Sequence, residues 1–415
     1  MAHNVDDVAA WLLDRLGPMR ARRLQILVYY AQAWRLAEHD ERLFADDLEA
    51  RSDGPVVPRL ADQCRDRDEA RSWPTGDPAR LAAPARDGLE RVVRSYGGFS
   101  EGELSRIVRA EAPWRLARKG RRAGRRGGRV IDPATLADYY RRLRASPQVA
   151  VEVAVGSARL EGHEFSPEAV DRLREAAAGT RAVEEIIAEL APGAGRRDGA
   201  VRDDDRHLAD RTDDRDEDPY CWPGTACLRN LLGLRDAAEL DRVEHELVGV
   251  RTAGLTVSAV PGAYDRAHLL GFHLLLFQDV YEWAGRPRIG DITRGTSTFC
   301  PAPLITSRLD ALFAELAARR LLTRVDDWDD FIVAFASLYG ALNAIHPFRE
   351  GNGRTQRAFL RQLAAHAGWT VAWERLERRA NDGACHAYGV TGRPDALVKL
   401  LAPIIQPRSQ YTSRR

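Results

Sequence analysis

His346-Pro347-Phe348-Arg349-Glu350-Gly351-Asn352-Gly353-Arg354-Thr355-Gln356-Arg357 lies between two runs of helical periodicity. Upstream, Trp328, Phe331, Ile332, Phe335, Leu338, Tyr339, Leu342 and Ile345 recur at helical spacing, predicting a central helix that is apolar on nearly every contact position. Proline disfavours helix in the residue before it, so the helix ends at Ile345 and His346 stands at its exit. Downstream, a second helix runs to about Ala367 and closes at Gly368. Gly351-Asn352-Gly353 therefore falls at or just before a helix start.

This layout suits phosphate. Amides at a helix start lack intrahelical acceptors and carry the positive end of the helix dipole, so anions bind there. Glycines let those amides approach phosphate oxygens closely. Arg354 and Arg357 are three apart and share a helix face, where two guanidinium groups can hold the outer charges of a triphosphate. Glu350 is a candidate Mg2+ ligand, because that ion takes one or two carboxylates together with phosphate oxygens. His346 is the candidate general base, histidine being the side chain that titrates nearest neutral pH.

Working outward, a helix is expected from about Asp265 to Trp283, carrying Leu269, Phe272, Leu276, Phe277 and Val280. A shorter one carries Leu309, Leu312, Phe313 and Leu316. Between them, β-branched residues around glycine in Ile289-Gly290-Asp291-Ile292-Thr293 and Gly295-Thr296-Ser297-Thr298-Phe299 predict a hairpin. Pro219 to about Pro407 forms one block on these grounds. Residues 193–218 are rich in Gly, Arg and Asp, cannot bury a core and read as a disordered linker. Residues 146–192 form a smaller block. Ser146-Pro147 is a helix start, yet Val149, Val151, Val153 and Val155 also alternate as in a strand, and local pattern leaves both open. Ser166-Pro167-Glu168 opens a helix carrying Val170, Leu173, Val183, Ile186, Ile187 and Leu190. Residues 1–145 are α-rich: Val8, Trp11, Leu12 and Leu16 mark one helix, stopped by Gly17-Pro18, and Leu24, Leu27, Val28, Ala31 and Trp34 a second. Ser52–Pro58 reads as a turn-rich connector, and the basic, glycine-rich residues 121–129 as a solvated loop.

A chain of 415 residues accommodates two or three such blocks. Lys+Arg 62 against Asp+Glu 61 leaves a net charge of +1, with no general attraction to nucleic acid or an anionic membrane. There is no apolar run of about 18 residues, so no spanning helix is expected. Met1–Asp7 lacks the charge and apolar pattern of a signal peptide. Cys64, Cys221, Cys227, Cys300 and Cys385 are scattered, with no CxxC or zinc spacing. Reduced thiols and a cytoplasmic location are expected. The fold class is mainly all-α with one small β-hairpin.

The opening segment matches HPFx(D/E)GNGRxxR at every specified position, and residues 219–407 resemble the core of Fic proteins. Pro219-Tyr220, Pro223-Gly224-Thr225 and Leu228-Arg229-Asn230 look like the start of that core, and Phe277–Gly285 like the stretch before the family's β-hairpin flap, here about Arg288 to Pro301. The resemblance implies a helical Fic core that moves AMP from ATP, with Mg2+, onto a Ser, Thr or Tyr hydroxyl of a target protein docked on the flap. His346 would take the hydroxyl proton, Glu350 hold Mg2+, and Gly351, Asn352 and Gly353 form the anion hole. Arg354 and Arg357 would hold the β- and γ-phosphates, and Phe348 anchor the loop. Arg349 fills the variable position.

Ser157-Ala158-Arg159-Leu160-Glu161-Gly162 matches (S/T)xxxE(G/N), and with Ser166-Pro167-Glu168 it resembles the small helical antitoxins that pair with Fic toxins. That resemblance favours helix for Val149–Glu161 and implies that Ser157, Glu161 and Gly162 form an inhibitory motif, Glu161 pairing with Arg357. Leu24–Trp34, Gly54-Pro55-Val56-Val57-Pro58 and Pro113-Trp114 resemble the Panacea domain of SocA-like antitoxins, implying an interaction or neutralising module. Together these imply a self-restrained toxin–antitoxin fusion, with oligomeric state open. The alternatives are a Fic enzyme using UMP or another nucleotide or removing AMP, or a regulatory binding protein kept shut by Glu161. Fic relatives that phosphorylate have a changed anion hole, whereas this chain keeps Gly-Asn-Gly.

Overall fold

The computed structural model of the protein describes residues 2–65, 68–119, 128–191, 218–294, 297–323 and 327–407. The chain forms two compact units, one of residues 1–144 with 260–263 and one of residues 145–259 with 264–415.

The first unit contains helices α1 (Val5–Leu16), α2 (Ala21–His39), α3 (Pro58–Gln63), α4 (Ala83–Tyr96), α5 (Glu101–Ala110), α6 (Ala112–Ala117) and α7 (Pro133–Leu143). α2 is buried along most of its length and packs against α1, α4, α5 and α7. Two buried glutamines on it order irregular chain: Gln32 Oε1 accepts from the amides of Leu43 and Phe44, and Gln25 Oε1 from that of Val57. In the expected connector 52–58, residues 52–53 form the turn, Gly54–Val56 is a short strand paired with Glu49–Arg51, and Arg129–Val130 adds to the other edge of Glu49–Arg51. Most of the expected loop 121–129 lies outside the described residues.

At the centre of this unit the hydroxyls of Tyr29, Tyr30 and Tyr140 donate to the buried Glu111 carboxylate at 3.3, 3.2 and 2.7 Å. Burial pushes Glu111 up to about 8, against the pull of those hydroxyls. The folded state thus keeps this proton to higher pH than the unfolded chain does. Its contribution is complete below the ordinary glutamate range and is lost as pH rises toward 8. Between about pH 5 and pH 8, the Tm of the wild type should fall more steeply than that of Glu111→Gln; parallel slopes would contradict this.

The second unit contains α8 (Pro147–Glu161), α9 (Pro167–Ala178), α10 (Val183–Leu190), α11 (Ala237–Ser258), α12 (Arg266–Phe277), α13 (Ile305–Ala318), α14 (Trp328–Ile345), α15 (Asn352–Ala367), α16 (Arg378–Thr391) and α17 (Asp395–Leu401). The valine run is helix. Ser146 Oγ caps it by accepting from the Val149 amide, Pro147 starts it, and Gly162 in the left-handed region ends it. Its valines alternate in sequence because α8 is covered by α9 and α11, so apolar residues suit more than one face. Two expected helices are shorter. The stretch from Ser166 to Leu190 breaks at Gly179, whose left-handed conformation separates α9 from α10. The helix expected to reach Trp283 ends at Phe277, because Asp279 turns to pair with Arg251 at 2.7 Å and the Gly285 amide folds back to donate to His273 Nδ1 at 2.7 Å.

α14 is the axis of this unit, contacting α13, α15, α16 and α17 with Phe331, Phe335, Leu338 and Leu342 buried. The hairpin pairs Thr293 with Thr298 and Arg294 with Ser297, and its turn, 295–296, lies outside the described residues. The expected linker likewise lies outside them, apart from Asp218, which is fixed against Arg349 at 2.6 Å.

Candidate active site

The site is assembled where α14 ends and α15 begins. His346 is the cap residue after α14, with φ 49°, a left-handed backbone that turns the chain away from the helix. Its Nδ1 lies 3.2 Å from the Asn343 carbonyl, which selects the tautomer with the lone pair on Nε2. Phe299 of the hairpin stacks on the ring at 3.8 Å between centroids. Buried Arg288 fastens the base of the hairpin to this exit. Its Nε donates to the His346 carbonyl at 2.9 Å and its Nη1 to Gly290 at 2.7 Å, while its Nη2 donates to Cys300. In sequence Arg288 looks like any surface arginine.

The loop 347–351 is held from both sides. Phe348 is fully buried, and Asn352 exchanges hydrogen bonds with its backbone, Oδ1 accepting from the Phe348 amide at 2.9 Å and Nδ2 donating to its carbonyl at 2.7 Å. The Asn352 side chain therefore braces the loop that leads into α15. Buried His273 stacks on Phe348 and hydrogen-bonds the Glu350 carbonyl through Nε2 at 3.0 Å; burial pushes it down to about 3, so it is neutral. Gly351 precedes α15 with φ 79°, and a Cβ there would stand 2.2 Å from the Phe277 ring. No other residue fits without moving that ring.

Arg354 and Arg357 are both buried and have different partners. Arg354 Nη2 lies 2.5 Å from Glu244 Oε1 and 3.1 Å from Glu350 Oε1. Burial opposes its charge, but the Glu244 carboxylate, with Glu350 and Glu161, outweighs this and holds it protonated. Burial pushes the Glu244 carboxyl up while Arg354 draws it down, and Tyr281 donates a hydrogen bond to it. Arg354 Nε and Nη1 remain buried with no acceptor, which fits an anion at the start of α15. Glu244 was not singled out in the sequence, where an isolated glutamate in α11 looks like a solvated one. Glu244→Ala leaves Arg354 buried without its nearest carboxylate and should cost about 3–5 kcal/mol in chemical denaturation; an unchanged midpoint would contradict the pairing.

Arg357 turns toward α8. Its Nη2 lies 2.6 Å from Glu161 Oε1, 3.0 Å from Ser157 Oγ and 3.2 Å from the Ser157 carbonyl. Ser157 and Glu161, one helical turn apart, thus hold one guanidinium, and Gly162, at φ 96°, ends the helix beside them. A Cβ on Gly353 would meet Glu161 Oε1 at 2.6 Å and Arg357 Nη1 at 2.8 Å, so the glycine leaves room for this ion pair. Glu350 is partly exposed, and its Oε1 accepts from the Gly351 amide at 2.8 Å.

Glu161, His346, Glu350, Gly353, Arg354 and Arg357 border one open cavity of about 1130 Å3. Tyr339, Asn381 and Cys385, from α14 and α16, form another part of its wall. The volume suits a nucleotide-sized ligand.

Residues 263–364 match the model of the Fic/DOC family, and residues 24–115 that of the Panacea domain of SocA-like antitoxins. The chain is 43% identical over 162 residues to the probable protein adenylyltransferase y4lH of Sinorhizobium fredii, covering 39% of this chain and 82% of that one. It is 41% identical over 162 residues to the protein adenylyltransferase VbhT of Bartonella schoenbuchensis, covering 39% of this chain and only 34% of VbhT. A crystal structure of the BepC protein of Bartonella tribocorum with bound AMPPNP is 26% identical, with 46% of this chain and 97% of that chain covered and a TM-score of 0.44. With a relative matched along most of its own length, and with the twelve-residue segment folded as a helix-start cradle beneath a histidine, the chain belongs to the Fic/DOC family.

Proposed function

We propose that the protein is an adenylyltransferase that moves AMP from ATP to a Ser, Thr or Tyr hydroxyl of a target protein, and that Glu161 restrains it. The observation that carries this reading is the shared cavity: His346, and Gly353 and Arg354 at the start of α15, border the same space. His346 Nε2 takes the hydroxyl proton as the hydroxyl oxygen attacks the α-phosphorus. A new P–O bond forms, the bond to the bridging oxygen of the β-phosphate breaks, and pyrophosphate leaves. The amides at the start of α15, Arg354 and a released Arg357 hold the phosphate charge, so catalysis comes from positioning and electrostatic stabilisation.

Glu350 is the residue that would hold Mg2+. A partly exposed carboxylate beside an anion cradle is a fitting hard-oxygen ligand, and the ion would supply charge neutralisation of the phosphates. The hairpin within Arg288–Pro301 would align the target backbone by strand addition. Residues 1–145 would serve as an interaction or neutralising module, 146–192 as the inhibitory segment, and 219–407 as the catalytic domain. The described residues include no helix long and apolar enough to cross a membrane.

Donor chemistry is tested by incubating the protein and a lysate with Mg2+ and ATP labelled at the α- or the γ-phosphate. Label should remain on protein from α-labelled ATP alone. Retention of γ-label would indicate phosphorylation, and preferential transfer from UTP would indicate uridylylation; either would overturn the donor assignment.

A further inference from the structure

Immediately after the inhibitory glutamate, the chain brings together three metal-ligating side chains that the proposed reaction does not use. His163 follows Gly162 at the end of α8, and its amide donates to the Ala158 carbonyl at 3.0 Å, closing the helix and fixing where the imidazole begins. Asp241 and His245 lie one turn apart on α11. One ligand atom from each of the three lies within 4.8 Å of the other two. His163 Nε2 stands 3.4 Å from Asp241 Oδ2. Two ligands at zinc-binding distances around a tetrahedral centre are separated by about 3.3–3.4 Å.

Two further features point to a ligand. His245 has 8% of its side chain exposed, and its Nε2 is buried without a hydrogen-bond partner. Its Nδ1 lies 2.7 Å from the Asp241 carbonyl. Metal-bound histidines characteristically make this contact, which fixes the tautomer and leaves the other nitrogen's lone pair for the ion. The His163 and His245 rings lie stacked, 3.2 Å between centroids and 27° apart in plane. Ligation requires the partly exposed His163 ring to turn so that the in-plane lone pairs converge. Arg354, which also borders this part of the cavity, is already paired with Glu244.

We infer that His163, Asp241 and His245 form a site for a divalent transition metal of the zinc type, with two imidazoles, one carboxylate and an open position. Such a site ties the end of the inhibitory helix α8 to α11. Magnesium is a poor fit, since it prefers oxygen ligands, whereas imidazole suits zinc. Resting on the reading of Glu161 given above, the consequence is regulatory: a bound ion holds the last turn of α8 in place, and with it the pairing of Glu161 with Arg357.

The test uses the full-length protein and Zn2+ in competition with a chromophoric chelator. The wild type should bind one Zn2+ per chain at this site, and His163→Ala should weaken binding at least ~10-fold. His163 is the residue to replace because it is partly exposed, whereas loss of buried His245 can disturb folding. A Co2+-substituted sample should lack the thiolate charge-transfer band that binding by any of the five cysteines would give. Hydrogen exchange should slow over residues 157–163 when Zn2+ is added to the wild type but not to His163→Ala. No Zn2+ binding, equal binding by His163→Ala, a thiolate band, or unchanged exchange would each overturn the inference. None of these readouts needs transfer activity, so their failure is distinct from failure of the adenylyltransferase reading.

Discussion

Glu161→Gly should incorporate label from α-labelled ATP, into itself or a target, roughly 5- to 150-fold faster than the wild type, the range of a coupling of 1–3 kcal/mol. In the structure Arg357 is almost fully buried, with Glu161 Oε1 at 2.6 Å and Ser157 Oγ at 3.0 Å. An ATP molecule whose γ-phosphate is to meet that guanidinium must displace a carboxylate that already neutralises it. The Glu161 carboxylate also lies beside Gly353, against the first turn of α15, where it repels an arriving phosphate. Removing it lifts both obstacles and leaves Arg357 held only by neutral Ser157 oxygens. Glu161→Gln should be intermediate, because an amide oxygen still accepts from Arg357 but carries no charge. Equal rates for wild type and Glu161→Gly would show that this ion pair is not a brake.

His346→Ala should reduce transfer by about 10²–10⁴-fold, the usual contribution of a positioned general base. Alanine keeps a Cβ, so the left-handed backbone at this position bears the same cost as before and the turn is preserved. Arg288 binds the His346 carbonyl rather than its ring, so the anchoring of the hairpin also survives. The loss should therefore fall on kcat, with KM for ATP little changed, because the phosphate cradle is built from α15. Wild-type turnover in His346→Ala would remove the histidine from the mechanism, and a large rise in KM would assign it to binding instead.

Most of the cradle was legible because its information is local. A proline after a histidine, a glycine before a helix and arginines in its first two turns fix the conformation within a few residues. The contact between Glu161 and Arg357 spans 196 positions and was accessible only through a family resemblance, since nothing in periodicity links α8 to α15. Glu244 and Arg288 were invisible for the same reason. A charged residue is assigned to solvent until the tertiary fold supplies its buried counterpart or carbonyls. α11 itself was not marked out in the sequence, because its buried positions surround the helix rather than forming one stripe. α9 and α12 end before their apolar spacing does, because Gly179 and the bond from Gly285 to His273 interrupt the helices.

In the proposed reaction one imidazole and one phosphate-binding helix start act on the same nucleotide once Glu161 is gone. The most direct measurement is transfer from α-labelled ATP by Glu161→Gly compared with the double variant Glu161→Gly/His346→Ala. The first should label rapidly and the second should return to background. Equal labelling by the two would contradict the proposed reaction.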